Sequence, residues 1–279
     1  MKKRFFQAFQ DKFHEIVERP LLTSSLVLIL VTILVVSLSF QYYMEDFNSF
    51  WGQILAEAHG MIFDVAVIGI LLFWLNQSGE IRQRIRLYKD EIDDFRLWES
   101  DEAAFRTVGN IKRLNRHKIY EINLVNCYLA RANLNYVNLK GSNLNSANVT
   151  NSSLIETNLE NSRLNQTNLE NSNLNQANLN GAYASGANFR DVFLIKAQFK
   201  SAFLIKAKFT NAFLMEADLR DSYLMGADFE NASLYKADLR GAKGLTIEQL
   251  MTAKTLYLAK FDESLQEEVK ISLPELVDA

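Results

Sequence analysis

The 279-residue chain contains one cysteine and three histidines, and its net charge is only −3. A single cysteine, Cys127, excludes an intramolecular disulfide. The histidines, His14, His59 and His117, lie in separate segments, so they do not have the spacing of a zinc site. The sequence also lacks a phosphate-binding glycine loop and a nucleophile elbow. We therefore expect a protein that is not an enzyme and that holds no metal and no cofactor.

A five-residue phrase recurs without interruption between residues 122 and 242. Starting at Leu124, every fifth residue is Leu or Phe, except Val149 and Ala184. Two places before each of these centres lies a small or slender residue, which predicts that Cys127 is an inward-facing spacer. A period of five fits neither a helix nor a strand, and a repeat this regular indicates a solenoid.

Residues 217–219 and 237–239 both read Ala-Asp-Leu, which is the start of the consensus A-[DN]-L-x-x. By these motifs the chain resembles the pentapeptide repeat family. The resemblance implies a mainly β fold, a right-handed four-sided β-helix over residues 119–245, with about six coils at a spacing of about 4.8 Å. It implies little about function, because repeat scaffolds carry unrelated roles.

Two apolar segments precede the repeats. Residues 21–40 carry no charge and are long enough to span a bilayer as a helix, and residues 57–77 predict a second span. Lys and Arg flank the two segments but are absent from the intervening residues 41–56, which predicts an external loop and two cytoplasmic termini. Residues 1–20 predict an amphipathic helix, either in the membrane interface or packed on the protein itself. With the family resemblance, this indicates the inner membrane of a bacterium.

His59 and Asp64 are ionisable residues in or near the second predicted span. An intramembrane carboxylate is costly, so one interpretation is an ion or proton pathway. The other is a structural contact, in which Ser37, Ser39 or Gln41 hydrogen-bonds Asp64. We favour the structural contact.

Residues 78–118 predict a helical neck and an N-terminal cap. Apolar residues spaced 4, 3, 4 and 3 apart form either a short coiled-coil seam or a stripe that packs on the repeats or on the N-terminal helix. These residues are Ile81, Ile85, Tyr88, Ile92 and Phe95. The end of this segment, from residue 99, predicts a short helix that covers the first coil.

The last segment, residues 246–279, predicts a capping helix and a tail. Thr246 and Gln249 have the spacing of a capping box, so we expect a short helix there that seals the last coil. The tail from residue 263 onward is expected to be loose.

Many pentads carry Asn just before the centre, where its side chain can bond the backbone at a corner. Some members of the family resemble DNA electrostatically and inhibit topoisomerases, which requires a strongly acidic rod. Acidic and basic side chains nearly balance between residues 121 and 245, so no nucleic-acid partner is expected.

Apolar side chains replace the outward Asn on two opposite faces of the predicted coil. Such a patch is typical of an interaction surface, with Lys196, Lys206 and Glu216 as its polar rim. The alternative is that tails or linkers of the same chain cover one face. The first face carries Tyr183, Phe203, Ile205, Tyr223 and Met225, and the third carries Phe193, Ile195, Phe213, Met215 and Tyr235.

The sequence therefore predicts a non-enzymatic, membrane-anchored scaffold, with the lipid bilayer as one partner and a protein or a second copy of the chain as the other. Two opposite adhesive faces can join copies into a ring or an open array. The alternative function is an oligomerising membrane effector or channel, in which His59 and Asp64 line a bundle of transmembrane hairpins.

Overall fold

A computed structural model describes Ile33, Ser37 and residues 47–277 of the chain, with side chains given for only part of the first helix. The chain divides into two compact units, Met1–Ser78 and Gly79–Ala279. The described residues contain five helices outside the repeats. They are α1 (Phe47–Asp94), α2 (Asp101–Arg116), α3 (Ile247–Leu250), α4 (Glu263–Ser272) and α5 (Pro274–Val277).

The prediction of two membrane-spanning helices finds no support in the structure. Among the described residues, no helix combines the length and the apolar character needed to cross a bilayer. The predicted helix at 1–20 and nearly all of the predicted span at 21–40 lie outside the described residues. The second predicted span falls within α1, where Asp64 is exposed and the side chain of His59 is not described.

The repeat region is a coil that pairs with itself every 20 residues. Parallel bridges join Asn123 to Asn143 and Asn143 to Arg163, and the same step continues along the repeats. Nearly every centre donates its N–H to the next coil, as Leu124 does to the carbonyl oxygen of Asn143 at 2.7 Å. Four pentads therefore complete one coil, as predicted, whereas the right-handed sense of the coil stays a prediction.

The expectation of a mainly β chain needs a correction, because each side of the coil contributes only one paired residue. A turn follows every bridge, so the pairing consists of isolated bridges rather than continuous strands. The corner residue two places after each centre has a positive φ, for example 56° at Asn126 and 70° at Gly141. Asn and Gly tolerate this left-handed conformation best, which explains their frequency at the corners.

The core is a stack of the repeated centres. The rings of Phe189, Phe209 and Phe229 lie above one another inside the coil, with centroids 5.0 and 5.4 Å apart. The small spacers, among them Cys127 at 1% exposure, fill the space between these columns. The predicted inward position of Cys127 is confirmed.

The first coil is closed by α2 and by the end of α1. Ser100 caps α2 by accepting the N–H of Ala103 at 3.1 Å. The side-chain amide of Asn115 then accepts the N–H of Asn138 at 2.8 Å and donates to its carbonyl oxygen at 2.9 Å. This amide makes two of the hydrogen bonds that a preceding coil would make with this edge. The prediction that this segment covers the edge of the first coil is therefore confirmed.

The apolar stripe at the end of α1 packs on the repeats, which decides between the two interpretations of its spacing. Ile92 is buried in the same core as the coil centres, and Ile85 and Tyr88 pack against that core. Arg96, just beyond α1, donates hydrogen bonds to the carbonyl oxygens of Asn123 and Val125.

The repeats do not end at residue 245, which corrects the predicted boundary. Bridges join Ser233 to Thr255 and Asp238 to Lys260, so one further stretch of coil follows α3. These partners are 22 residues apart, because α3 and its flanks add two residues to the coil. The five-residue repeat therefore resumes two residues out of register after α3, which is why the sequence does not reveal the last stretch of coil.

The predicted capping box is confirmed. Thr246 and Gln249 bond each other's backbone at the start of α3. The Gln249 amide also donates to the carbonyl oxygens of Leu224 and Ala227, at 2.9 and 2.7 Å.

The expectation of a loose tail is wrong for the described residues. Helices α4 and α5 follow the last stretch of coil, and Val269 and Leu273 are buried against the core. Leu256 donates its N–H to the carbonyl oxygen of Leu276 at 2.7 Å. The tail therefore closes the open end of the coil.

Cys127 provides a test of this packing. Burial raises the pKa of its thiol from 9.0 to about 11, so the folded chain disfavours the reactive thiolate. We expect a colorimetric thiol reagent to label Cys127 at pH 8 only after denaturation. Because the thiol ionises more readily in the unfolded chain, stability should also fall as the pH rises from about 9 towards 11. Rapid labelling of the native chain at pH 8 would contradict the buried position.

Candidate interaction surface

The first face of the coil carries an aromatic ladder made by Tyr183, Phe203 and Tyr223. Because these residues occupy the same slot in successive coils, their rings stack with centroids 4.8 and 4.6 Å apart and planes within 2° and 4° of parallel. Lys243 closes the end of the ladder. Its ammonium lies 4.6 Å from the ring centroid of Tyr223 and 3.1 Å from the hydroxyl oxygen.

The third face carries a second, shorter ladder. The rings of Phe193 and Phe213 stack at 4.8 Å with an angle of 8° between their planes. In the slot just after the centres, Tyr235 lies 5.9 Å from Tyr257, and the ammonium of Lys236 lies 5.0 Å from the ring of Tyr235. Tyr257 was not predicted, because the shift of frame after α3 hides its register.

Both ladders turn ring edges, not ring faces, towards the surroundings. Tyr183, Phe193 and Phe213 are 46%, 43% and 38% exposed, and each has one flat face stacked on a neighbouring ring. A sugar or a nucleobase needs an open ring face for stacking, and the ladders occupy both faces of Phe203 and one face of each other ring. The positive edge of an aromatic ring instead suits an oxygen atom, the face of another ring or an aliphatic side chain.

The structure brings all ten predicted interaction residues to these two faces. Met225 is the most exposed of them, at 61%. The side chains of Ile195, Ile205, Met215 and Tyr235 are half-buried. His59 and Asp64 belong to the other unit of the chain and are not part of this surface.

Positions that carry Asn just before the centre show which hydrogen bond the aromatic residues replace. Where Asn precedes the centre, its side-chain oxygen accepts the N–H two residues later, as Asn143 does from Asn145 at 3.2 Å. Asn168 does the same for Glu170, also at 3.2 Å. The predicted role of these Asn side chains at the corners is confirmed.

The aromatic columns leave the corresponding donors open. Among the described residues, no acceptor lies within hydrogen-bond distance of the backbone N–H groups of Ile205 and Met225 on the first face or Met215 and Tyr235 on the third. A phenyl ring cannot replace the Asn oxygen. Each face therefore combines exposed apolar side chains with two unused hydrogen-bond donors.

Two arginines on the fourth face are paired within the chain. Arg220 and Arg240 each form a two-pronged contact with the carboxylate two residues earlier, with a shortest distance of 2.6 Å in both cases. These hydrogen bonds hold the pKa values of Asp218 and Asp238 below their usual range. Such pairs leave little charge available for a partner.

The corners beside the two ladders differ from each other. Next to the third face, Lys196 lies 3.7 Å from Glu216, and Asp191 accepts a hydrogen bond from Asn211 at 3.0 Å. Next to the first face, Lys206 and Asp221 are both exposed. Neither side chain forms an ion pair or a hydrogen bond with any described residue.

Nothing in this surface resembles a catalytic or metal site. Within the part of the chain that the structure describes, no group of three or more His, Cys, Asp or Glu side chains is placed to hold a metal ion. The arrangement offers ring edges, aliphatic side chains and backbone donors, which are the elements of a binding surface.

Comparison with known proteins identifies the repeats. The family model described as pentapeptide repeats matches in eight copies, over residues 122–161, 152–191, 177–214 and 212–243. No curated protein matches the chain.

Solved structures give similarities of low overall score. QnrB1, a plasmid-mediated fluoroquinolone resistance protein, is 16% identical with a TM-score of 0.33, covering 57% of this chain and 88% of its own. HetL, involved in heterocyst differentiation regulation in the cyanobacterium Nostoc sp. strain PCC 7120, is 26% identical with a TM-score of 0.23, covering 50% and 74%. A protein of the Arabidopsis thaliana thylakoid lumen is 25% identical with a TM-score of 0.16, covering 44% and 74%.

Replacement of Phe213 by Asn tests whether the ladder is required for folding. The change loses one ring stack but supplies an acceptor for the open N–H of Met215, and these two effects are of similar size. We expect the free energy of unfolding to change by less than about 1 kcal/mol in denaturant titrations. The buried Phe209 is the matched control, because Phe209→Ala should cost about 3–5 kcal/mol. Equal losses in the two variants would show that the ladder is structural.

Proposed function

Because residues 122–243 of this chain belong to the pentapeptide repeat family, we propose that the chain is a non-catalytic scaffold whose first and third faces bind proteins. The proposal rests on one observation: stacked aromatic residues replace Asn in the position just before the centre. This replacement exposes apolar area and leaves three backbone donors without acceptors, the N–H groups of Ile205, Met215 and Met225. The exposed apolar area is costly in water and is offset when a partner covers it, and the open N–H groups can then pair with acceptors of the partner.

The chemistry of the faces favours a protein partner. Nucleobases and sugars prefer free ring faces, and the ladders occupy most of theirs with neighbouring rings. A partner protein supplies aliphatic side chains for the ring edges and carbonyl or carboxylate oxygens for the open N–H groups. Lys196, Lys206 and Glu216 border the patches as a charged rim, which is the usual arrangement around a protein interface.

The partner must dock through side chains rather than by adding a strand. The paired backbone groups of each side bond to the coils above and below, as Phe203 does to Ala182 and Leu204 to Tyr223. Strand addition requires a row of free backbone groups at a sheet edge. The two edges that a coil does have, at its ends, are covered by α2 and by α4 and α5.

For the location of the scaffold we keep the sequence-based hypothesis of attachment to a bacterial inner membrane through residues 21–40. It rests on the uncharged residues 21–40 and on the distribution of Lys and Arg around them. No described contact favours the alternative of a channel, and we do not propose one.

Membrane attachment is tested by fractionation of cells that produce the full chain. If residues 21–40 span the bilayer, the chain should stay in the membrane pellet after washing with alkaline carbonate. Two charges in the centre of this segment, in the variant Leu28→Arg with Leu30→Arg, should release it, because each costs about 2.5–3.5 kcal/mol there. Complete extraction of the unaltered chain by carbonate would contradict the anchor.

The binding faces are tested by photocrosslinking in the same cells. A benzophenone amino acid at position 203 or 213 should form covalent adducts of higher mass with whichever protein occupies the face. Lys208 is the control position, because it lies on the polar second face in the same coil as Phe203. If positions 203 and 213 give no more adduct than position 208, the faces do not bind protein.

A further inference from the structure

We infer that the partner of the first face is a second copy of this chain, bound side by side with the two coils pointing in the same direction. This inference rests on the proposed function, because it assumes that the face binds protein. It selects one of the two faces, names its occupant and fixes the orientation of the pair.

The closed ends of the coil leave only sideways association. Asn115 occupies the backbone groups of Asn138 at the first edge, and Arg96 occupies two further carbonyl oxygens there. At the other end, Val269 and Leu273 cover the core. Two copies therefore cannot stack end to end as a longer coil without displacing these caps.

The charges beside the first face match those of a second copy. Asp221 lies at the corner where the chain enters this face, and Lys206 lies at the corner where it leaves. The Lys206 side chain leans towards the next coil, since its Cγ lies 3.5 Å from the position of a Cβ on Gly226. Asp221 leans the same way, with its carboxylate against the position of a Cβ on Gly241, so the long Lys206 side chain has to reach across the offset of about one coil.

A two-fold axis parallel to the coil exchanges the entering and leaving corners. Lys206 of each copy then faces Asp221 of the other, so two pairs of opposite charge form. If the coils pointed in opposite directions, with Phe203 at the centre, Lys206 would face Lys206. Like charges at an interface oppose association, so the contacts of Lys206 favour the parallel pair, in which Lys243 at the end of the ladder lies opposite Lys243 of the second copy.

The open backbone N–H groups lie on the side of the first face that Asp221 of the second copy approaches. The N–H groups of Ile205 and Met225 are on the leaving side of the face, next to Lys206. The carboxylate of Asp221 from the second copy approaches this same side. It therefore supplies an acceptor that the chain itself does not provide, while Phe203 of one copy meets Phe203 of the other.

The size of the patch predicts a weak dimer. Five apolar side chains, each partly exposed, amount to several hundred Å² on each copy, whereas stable complexes bury about 800 Å² per partner. The third face carries a similar patch, but its corner charges are already paired within the chain. Self-association should therefore depend on the first face and on concentration.

Charge reversal tests the pair directly. The full chain in detergent is examined by sedimentation equilibrium over a wide concentration range. The single variants Lys206→Asp and Asp221→Lys should each raise the dimer dissociation constant at least tenfold, because each creates two like-charge contacts. The double variant, and an equimolar mixture of the two single variants, should restore the dimer.

The substitutions suit the local backbone. Lys occupies the same kind of left-handed corner at Lys236, where φ is 56°, and Asp does so at Asp191, where φ is 55°. Asn211→Lys, at a corner that borders the third face, is the control and should leave the dissociation constant unchanged.

The outcomes separate this inference from the proposed function. Single variants that dimerise like the unaltered chain would overturn the parallel pair. A chain that stays monomeric at all concentrations, while position 203 crosslinks to a protein of different mass, would overturn the second copy but leave the scaffold function intact. A monomer with no crosslink at positions 203 and 213 would overturn both.

Discussion

The hydrogen bonds between residues 20 apart are the constraint on which the rest of the structure depends. They stack every position of the pentad into a column, with about 4.8 Å between successive members. A side chain on the surface therefore has the equivalent residue of the next coil as its nearest neighbour. Columns of Asn at positions 148, 168 and 188 and of aromatic residues at 183, 203 and 223 are two uses of the same spacing. The backbone fixes the geometry, and the residue type decides what each face can bind.

Much of the fold could be predicted because its rules are local. The five-residue period, the inward position of Cys127, the Asn bonds at the corners and the Thr246–Gln249 capping box all depend on residues close together in the sequence. The end of the coil could not be predicted, because α3 shifts the frame by two residues and the pattern then resumes out of phase. The burial of Val269 and Leu273 depends on contacts with the distant core, which composition alone does not reveal.

The candidate site was predictable in its residues but not in its chemistry. Outward aromatic residues are visible in the sequence as departures from Asn, so both faces could be identified. The stacking that hides the ring faces follows only from the measured centroid distances of 4.6 to 4.8 Å. Pairing is equally invisible in a sequence: Lys196 and Lys206 occupy equivalent corners, yet only Lys196 has an ion-pair partner among the described residues.

The difference between the two faces bears on how far assembly can proceed. A solenoid with two identical adhesive faces on opposite sides would join into open arrays. Here the opposite sides share an aromatic ladder but not their charges, because Lys196 and Asp191 are engaged within the chain and Lys206 and Asp221 are not. Apolar contact alone is non-directional, so unpaired charges are what specify orientation and partner. A two-fold pair on the first face uses Lys206 and Asp221 of each copy once and closes. The third face then stays available to a different protein, and the closed ends prevent growth along the coil.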